Sequence, residues 1–238
     1  MTPETERLLR AAGEAADDAM DMGETALTLA AADLPGLVLD PYRDHLARLG
    51  RDVAARARSL AEHGPLERGP AGAATGDDAM VQARALAEVL AGDFGYDGDR
   101  ATYDDMSNAN LVRVIDRRCG LPVALGILYI HAGRLNGWRL SGVNFPGHFL
   151  VRMNGEIAGG PPPVFVDPFS GGRVMDEDAL RALFARVSGV AEDAAGPGEP
   201  SFEAACRPVP ARTVLLRLQN NIYSRALNAR DMGRAGAV

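Results

Sequence analysis

Lysine is absent from the 238-residue chain, and all 25 basic residues are arginine. That removes every chemistry built on an amine side chain, from a Schiff-base lysine to a phosphate-loop lysine. Cysteine is nearly absent: Cys119 and Cys206 stand alone. Two thiols make no disulfide framework in a chain this long, and the expectation is a reduced, cytoplasmic protein. Long apolar runs are missing as well. The richest, Leu121–Ala132, contains His131 and is too short to span a bilayer. The N-terminal MTPETERLLRAAGEAADD lacks the apolar core of a secretory signal. No membrane partner is therefore expected. An excess of positive charge is lacking too, since the net charge is -7, and a nucleic-acid surface should be basic. No CxxC or HxxxH spacing supports a metal site. Gly171-Gly172 reads as a turn, because no GxGxxG or Walker pattern surrounds it. Neither metal nor cofactor is expected.

What is present is concentrated in Arg117–Phe169, which holds Cys119, His131, His148 and Trp138. Pro122 suits the first position of a helix, where no backbone donor is needed. From Val123 to Leu135 the residues are apolar nearly all round, as in a helix buried on most sides. Asn136-Gly137 ends it. Three strand candidates follow, Arg139–Phe145, His148–Met153 and Val164–Asp167, separated by Pro146-Gly147 and by a Gly159–Pro163 turn. The centre thus reads as a buried helix followed by a small antiparallel sheet.

This order is also a chemical hypothesis. A thiol near a helix N-terminus is favoured as thiolate, a nearby histidine can take its proton, and a carboxylate can fix the imidazole tautomer. Cys119, His148 and Asp167 are the candidates. Each has a plainer reading. Cys119 can be a small buried apolar residue, His148 a histidine satisfied by backbone at a strand start, and Asp167 the cap of an Asp-Pro-Phe turn. His131 reads as a hydrogen-bonded core histidine. Arg117-Arg118 either meets an acidic ligand or simply ends a short helix favourably.

The flanks read as helices. Residues 3–23 form a weakly amphipathic one, and Glu24–Asp33 a second that Pro35-Gly36 stops. Pro41–His63 is the longest, with Tyr42, Leu46, Leu49, Val53, Ala57 and Leu60 at helical spacing. After a Gly64–Gly76 loop, Asp77-Asp78 starts a helix with Met80, Ala83, Leu86, Ala87 and Leu90 on its face, closed by Gly92. Ser107 or Asn108 caps Asn110–Arg117. Beyond the centre lie a helix at Asp176–Val187, a linker-like Ala191–Pro210, and a helix at Ala211–Arg230 with a Val214, Leu215, Leu218, Ile222, Leu227 stripe. The expected organisation is an N-terminal helical module at 1–95, a core at 96–190, a linker at 191–210 and a C-terminal helix at 211–238.

The segments ATYDDMSNANLVRVIDRRCGLPVALGILY (101–129), NFPGHFLVRM (144–153) and FVDPFSGG (165–172), with the lead-in ETALTLAAADLP (24–35), occur in one order. Together they resemble the transglutaminase-like superfamily and, within it, the bacterial SirB-type proteins. The resemblance implies an α+β fold: a papain-like core in which His148 takes the histidine place and Asp167 the aspartate place. In active members the cysteine lies in the first turn of the buried helix. Pro122, Val123 and Ala124 occupy that turn here, and Cys119 falls about one helical turn too early. SirB-type relatives share the Gly-[Ile/Leu]-Pro opening without a thiol, and often continue into tetratricopeptide-like helices that this sequence lacks. The expected function is that of a catalytically degenerate protein acting on an unknown protein partner by interaction or regulation, with Cys119, His148 and Asp167 as a relic triad. The alternative is a cysteine-dependent amide hydrolase or acyl transferase that uses those three residues.

Overall fold

In the computed structural model, residues 3–17, 19–63, 76–153, 162–188 and 201–228 are described. The expected loop at 64–75, most of the 159–163 turn, the 191–200 part of the linker and the chain after 228 lie outside them.

The organising helix is α6, Pro122–Arg134, with Pro122 in its first turn and Leu135 at its C-cap. Every residue from Val123 to Gly133 is buried, as the apolar periphery requires. It lies on a four-stranded antiparallel sheet of order β3-β4-β5-β6, where β3 is Leu140–Val143, β4 Leu150–Met153, β5 Val164–Asp167 and β6 Arg173–Met175. In register, Val151 faces Val166 across β4 and β5, and Gly142 faces Val151 across β3 and β4. Helix and sheet touch because two helix positions carry no side chain. A Cβ on Gly126 would overlap the Phe149 ring, and one on Gly133 would come within 2.7 Å of Leu140.

Phe149, Val151, Met153 and Val166 share the α6 core. Alternation sends Val143, Leu150 and Phe165 to a second cluster. There they meet Leu180, Leu183 and Phe184 of α7, Glu177–Ser188, and Ala205 of α8, Phe202–Ala205. The first core is continuous from Met20 to Ile222. It takes in α2 (Met22–Ala32), α3 (Asp40–His63), α4 (Gly76–Ala87) and α9 (Ala211–Asn228).

Several expectations change in detail. The first helical stretch is α1, Pro3–Glu14, and α2 begins at Met22 because the Asp21 side chain accepts from Glu24 N. On α4 the buried positions are Ala79, Ala83, Ala85 and Leu86, and Met80 is 45 % exposed. Gly92 does not close that helix; it widens into a π turn at Glu88–Asp93, where Phe94 N donates to Val89 O and Arg56 of α3 binds both Glu88 and Asp93. The short helix α5, Leu111–Arg117, is capped by Asn110 itself, which accepts from Arg113 N, rather than by Ser107 or Asn108. Asp105 caps the preceding 3-10 turn, Met106–Ala109.

Three strands were not legible. β1 (Asp97–Gly98) pairs in parallel with β2 (Cys119–Gly120). β6 follows Gly171 and Gly172, both at positive φ; a Cβ on Gly172 would meet the Tyr129 hydroxyl at 2.6 Å. The 201–210 part of the expected linker contains α8, and its Val209 N donates to Gly142 O at the edge of β3. On α9, Leu227 of the expected stripe is 38 % exposed and Ala226 is buried in its place.

Candidate functional site

The α6 N-terminus starts at Leu121, whose side chain provides no cap and whose backbone N donates to Asn108 O. Its first residues, Pro122, Val123 and Ala124, carry no ionisable group. Cys119 is half-buried in β2, paired with Asp97 and outside the helix. The residue before it, Arg118, ends α5 in the left-handed conformation at φ 60 and is the non-glycine residue with positive φ among those described. A left-handed non-glycine residue is held by its surroundings. Here the Arg118 guanidinium donates to His45 Nε2 at 2.8 Å and to the Tyr96 hydroxyl, and lies over the Phe94 and Tyr96 rings. His45 must accept, so its Nε2 is unprotonated. Burial, then the charges of Arg118 and Arg48, hold its pKa down at about 4. Burial pushes the Tyr96 hydroxyl up to about 12.

Arg117 turns the other way. It binds Asp99 at 2.9 Å and the Asn108 side chain at 3.0 Å. Asp99 also accepts from the Thr102 hydroxyl and from Ala101 N and Thr102 N. Those Thr102 bonds, joined by Asn108 and Arg117, hold the Asp99 carboxyl far below the usual carboxylate range. Both arginines are thus engaged inside the protein, and they fix the strand that delivers the chain to α6.

His148 lies two residues before β4. Its N donates to Phe145 O, and its carbonyl accepts from Arg217 of α9. Its imidazole makes no hydrogen bond among the described residues. Asp167 is 5 % exposed at the end of β5, and its carboxylate accepts from Phe169 N, capping the Asp-Pro-Phe turn. No hydrogen bond joins any two of Cys119, His148 and Asp167. Arg217 also binds the Asn144 side chain at 3.1 Å and lies over the Phe149 ring; burial lowers its pKa. Sequence reading passed over Arg217, although a charged residue between Leu216 and Leu218 was a usable signal. Tyr103 was also missed. It stands edge-on to Phe169, and its carbonyl accepts from buried Arg225.

His131 is buried and bonded to Asp21 at 3.0 Å. Burial raises the Asp21 carboxyl, but the bonds from His131 and Glu24 N outweigh it and leave it below its ordinary value. No group of three or more His, Cys, Asp or Glu among the described residues is placed to hold a metal, and no helix among them is long and apolar enough to cross a membrane.

Residues 40–220 match the profile of the transglutaminase-like superfamily. The chain belongs to that superfamily. It is 35% identical over 141 residues to a UPF0162 protein of Xylella fastidiosa, a match covering 59% of this chain and 47% of the relative. A UPF0162 protein of Vibrio cholerae is 32% identical over 165 residues, 69% of this chain and 54% of the relative. F-box only protein 21 of Mus musculus is 32% identical over 95 residues, 38% of this chain and 15% of that protein. The chain therefore spans about half the length of the bacterial relatives it matches. No solved structure matches it.

Proposed function

We propose that this chain is a catalytically degenerate, cytoplasmic, SirB-type transglutaminase-like protein that works by binding another protein. The first turn of α6 carries this reading. A transglutaminase-like reaction needs a nucleophile where the helix dipole and a histidine both act on it, and Pro122, Val123 and Ala124 supply none. The carboxylate of Asp167 spends its described bond on Phe169 N. Arg217 holds the backbone of His148 against α9, which suits a rigid recognition surface. The match to a short part of F-box only protein 21 supports a module that larger chains reuse.

The test follows alkylation of Cys119 by iodoacetamide, with Cys206→Ser as background and mass spectrometry as readout. The expected result is slow labelling at pH 6 that His148→Ala leaves unchanged. Fast labelling at pH 6, abolished by His148→Ala, would overturn the reading in favour of a thiol hydrolase or acyl transferase using Cys119, His148 and Asp167. Affinity capture with wild type and His148→Ala then tests the binding half. One specific partner should be retained by the wild type and lost with the variant.

A further inference from the structure

Where β5 begins and β6 ends, α4, α7 and α8 leave a cavity of about 780 Å³, within the range of roughly 300–1,000 Å³ usual for small-molecule sites. No residue of the α6 site lines it. Its wall is apolar: Met80, Pro163, Val164, Val174, Leu180 and Phe202 face the space. The exposure of Met80, which the sequence placed on a buried face, is explained by this opening. Large apolar side chains left facing an open cavity mark a place for an apolar ligand.

The charges at the rim are unequal in what they already do. Asp176 accepts from Ala179 N at the start of α7, and Glu177 binds Arg181. Glu203 stands in the first turn of α8, where backbone N–H, its own first and then the Ser201 side chain, lowers its pKa. Arg181 is held by Glu177 and stacked on Phe202. Arg152 reaches the wall from β4 and acts electrostatically on the Cys206 thiol. The guanidinium of Arg207 makes no hydrogen bond or ion pair among the described residues. Among the described rim residues, Asp176 and Glu177 are thus committed to α7, and the Arg207 guanidinium is left over.

We propose that this cavity binds an anionic amphiphile, an unbranched alkyl or acyl chain ending in a carboxylate. The chain lies along Val164, Val174, Leu180 and Phe202, and the carboxylate meets Arg207. A free fatty acid has this chemistry. The proposal does not rest on the catalytic status of the α6 site.

Cys206 provides a reporter, because it lines the cavity and Cys119 does not. In a Cys119→Ser chain, alkylation of Cys206 by iodoacetamide is followed with dodecanoate present below its micellar concentration. Dodecyltrimethylammonium serves as the cationic counterpart. Dodecanoate should slow labelling saturably, and the cation should not. Arg207→Glu, at an exposed position that keeps the fold, should weaken protection by about tenfold, as loss of one charge-assisted contact implies. Val174→Trp, checked for folding by circular dichroism, should abolish it by filling the space. Unchanged labelling with dodecanoate would overturn the proposal. So would equal protection by the cation, or protection that survives Val174→Trp.

Discussion

Tyr129 offers a sharp test of the core. It sits in α6, is fully buried, and its hydroxyl has no hydrogen-bond partner among the described residues. The Gly172 turn closes directly over that oxygen. Burial, then the charges of Asp167 and Asp97, push its pKa well above the ordinary phenol value, so the group is a neutral donor with nothing to donate to. An unsatisfied buried polar group costs about 1–3 kcal/mol, whereas removing it and keeping the shape is nearly neutral or stabilising. Against this stands the loss of a few atomic contacts of about 0.1–0.2 kcal/mol each. Tyr129→Phe should therefore stabilise the chain by about 1 kcal/mol. For a chain of this size that raises Tm by about 2–4 °C. Calorimetry and urea unfolding at pH 7 read the change. A control, Leu128→Ala on the same helix, should cost about 2–5 kcal/mol. If Tyr129→Phe destabilised by about 1 kcal/mol or more, the hydroxyl would have a partner such as an ordered water, and the reasoning would fail.

Three other outcomes are expected. Gly126→Ala puts a methyl into the Phe149 ring and should cost about 1–3 kcal/mol by overpacking, read from the urea midpoint. Asn110→Ala removes the cap of α5 and a bond to Ala30 O that ties it to α2; the cap alone is worth about 0.5–2 kcal/mol, and hydrogen exchange of the α5 amides should quicken. His45 is held down to about 4 from an ordinary 6.5, first by burial and then by Arg118 and Arg48, with Tyr96 and Phe94 as its other neighbours. A depressed folded-state pKa means stability is full above the ordinary value and falls as pH drops from 6.5 toward 4. His45→Gln keeps an acceptor for Arg118 without a titrating group, so unfolding followed from pH 7 to 4 should show a shallower loss than wild type.

Sequence alone determined what short-range physics controls. The all-round apolar pattern, with Pro122 before it and Asn136-Gly137 after it, specified α6 and its burial, because both signals are local. Val164–Asp167 and the α7 face of Leu180, Leu183 and Phe184 were legible for the same reason. The tertiary structure alone decided matters set by distant neighbours. Alternation cannot reveal a three-residue edge strand, so β6 exists only because β5 is there to pair with it. Met80 looked like a core residue by spacing, but rotation of α4 against its neighbours buried Ala79 instead. Asp167 had two readings, to orient a histidine or to cap a turn. The hydrogen bond to Phe169 N supplies the second, and no bond to His148 is formed. Arg118 takes a left-handed conformation because His45 and Tyr96, more than 20 residues away in sequence, accept its guanidinium. No local pattern carries that information, since a side chain's partner is chosen by the fold that brings it within reach.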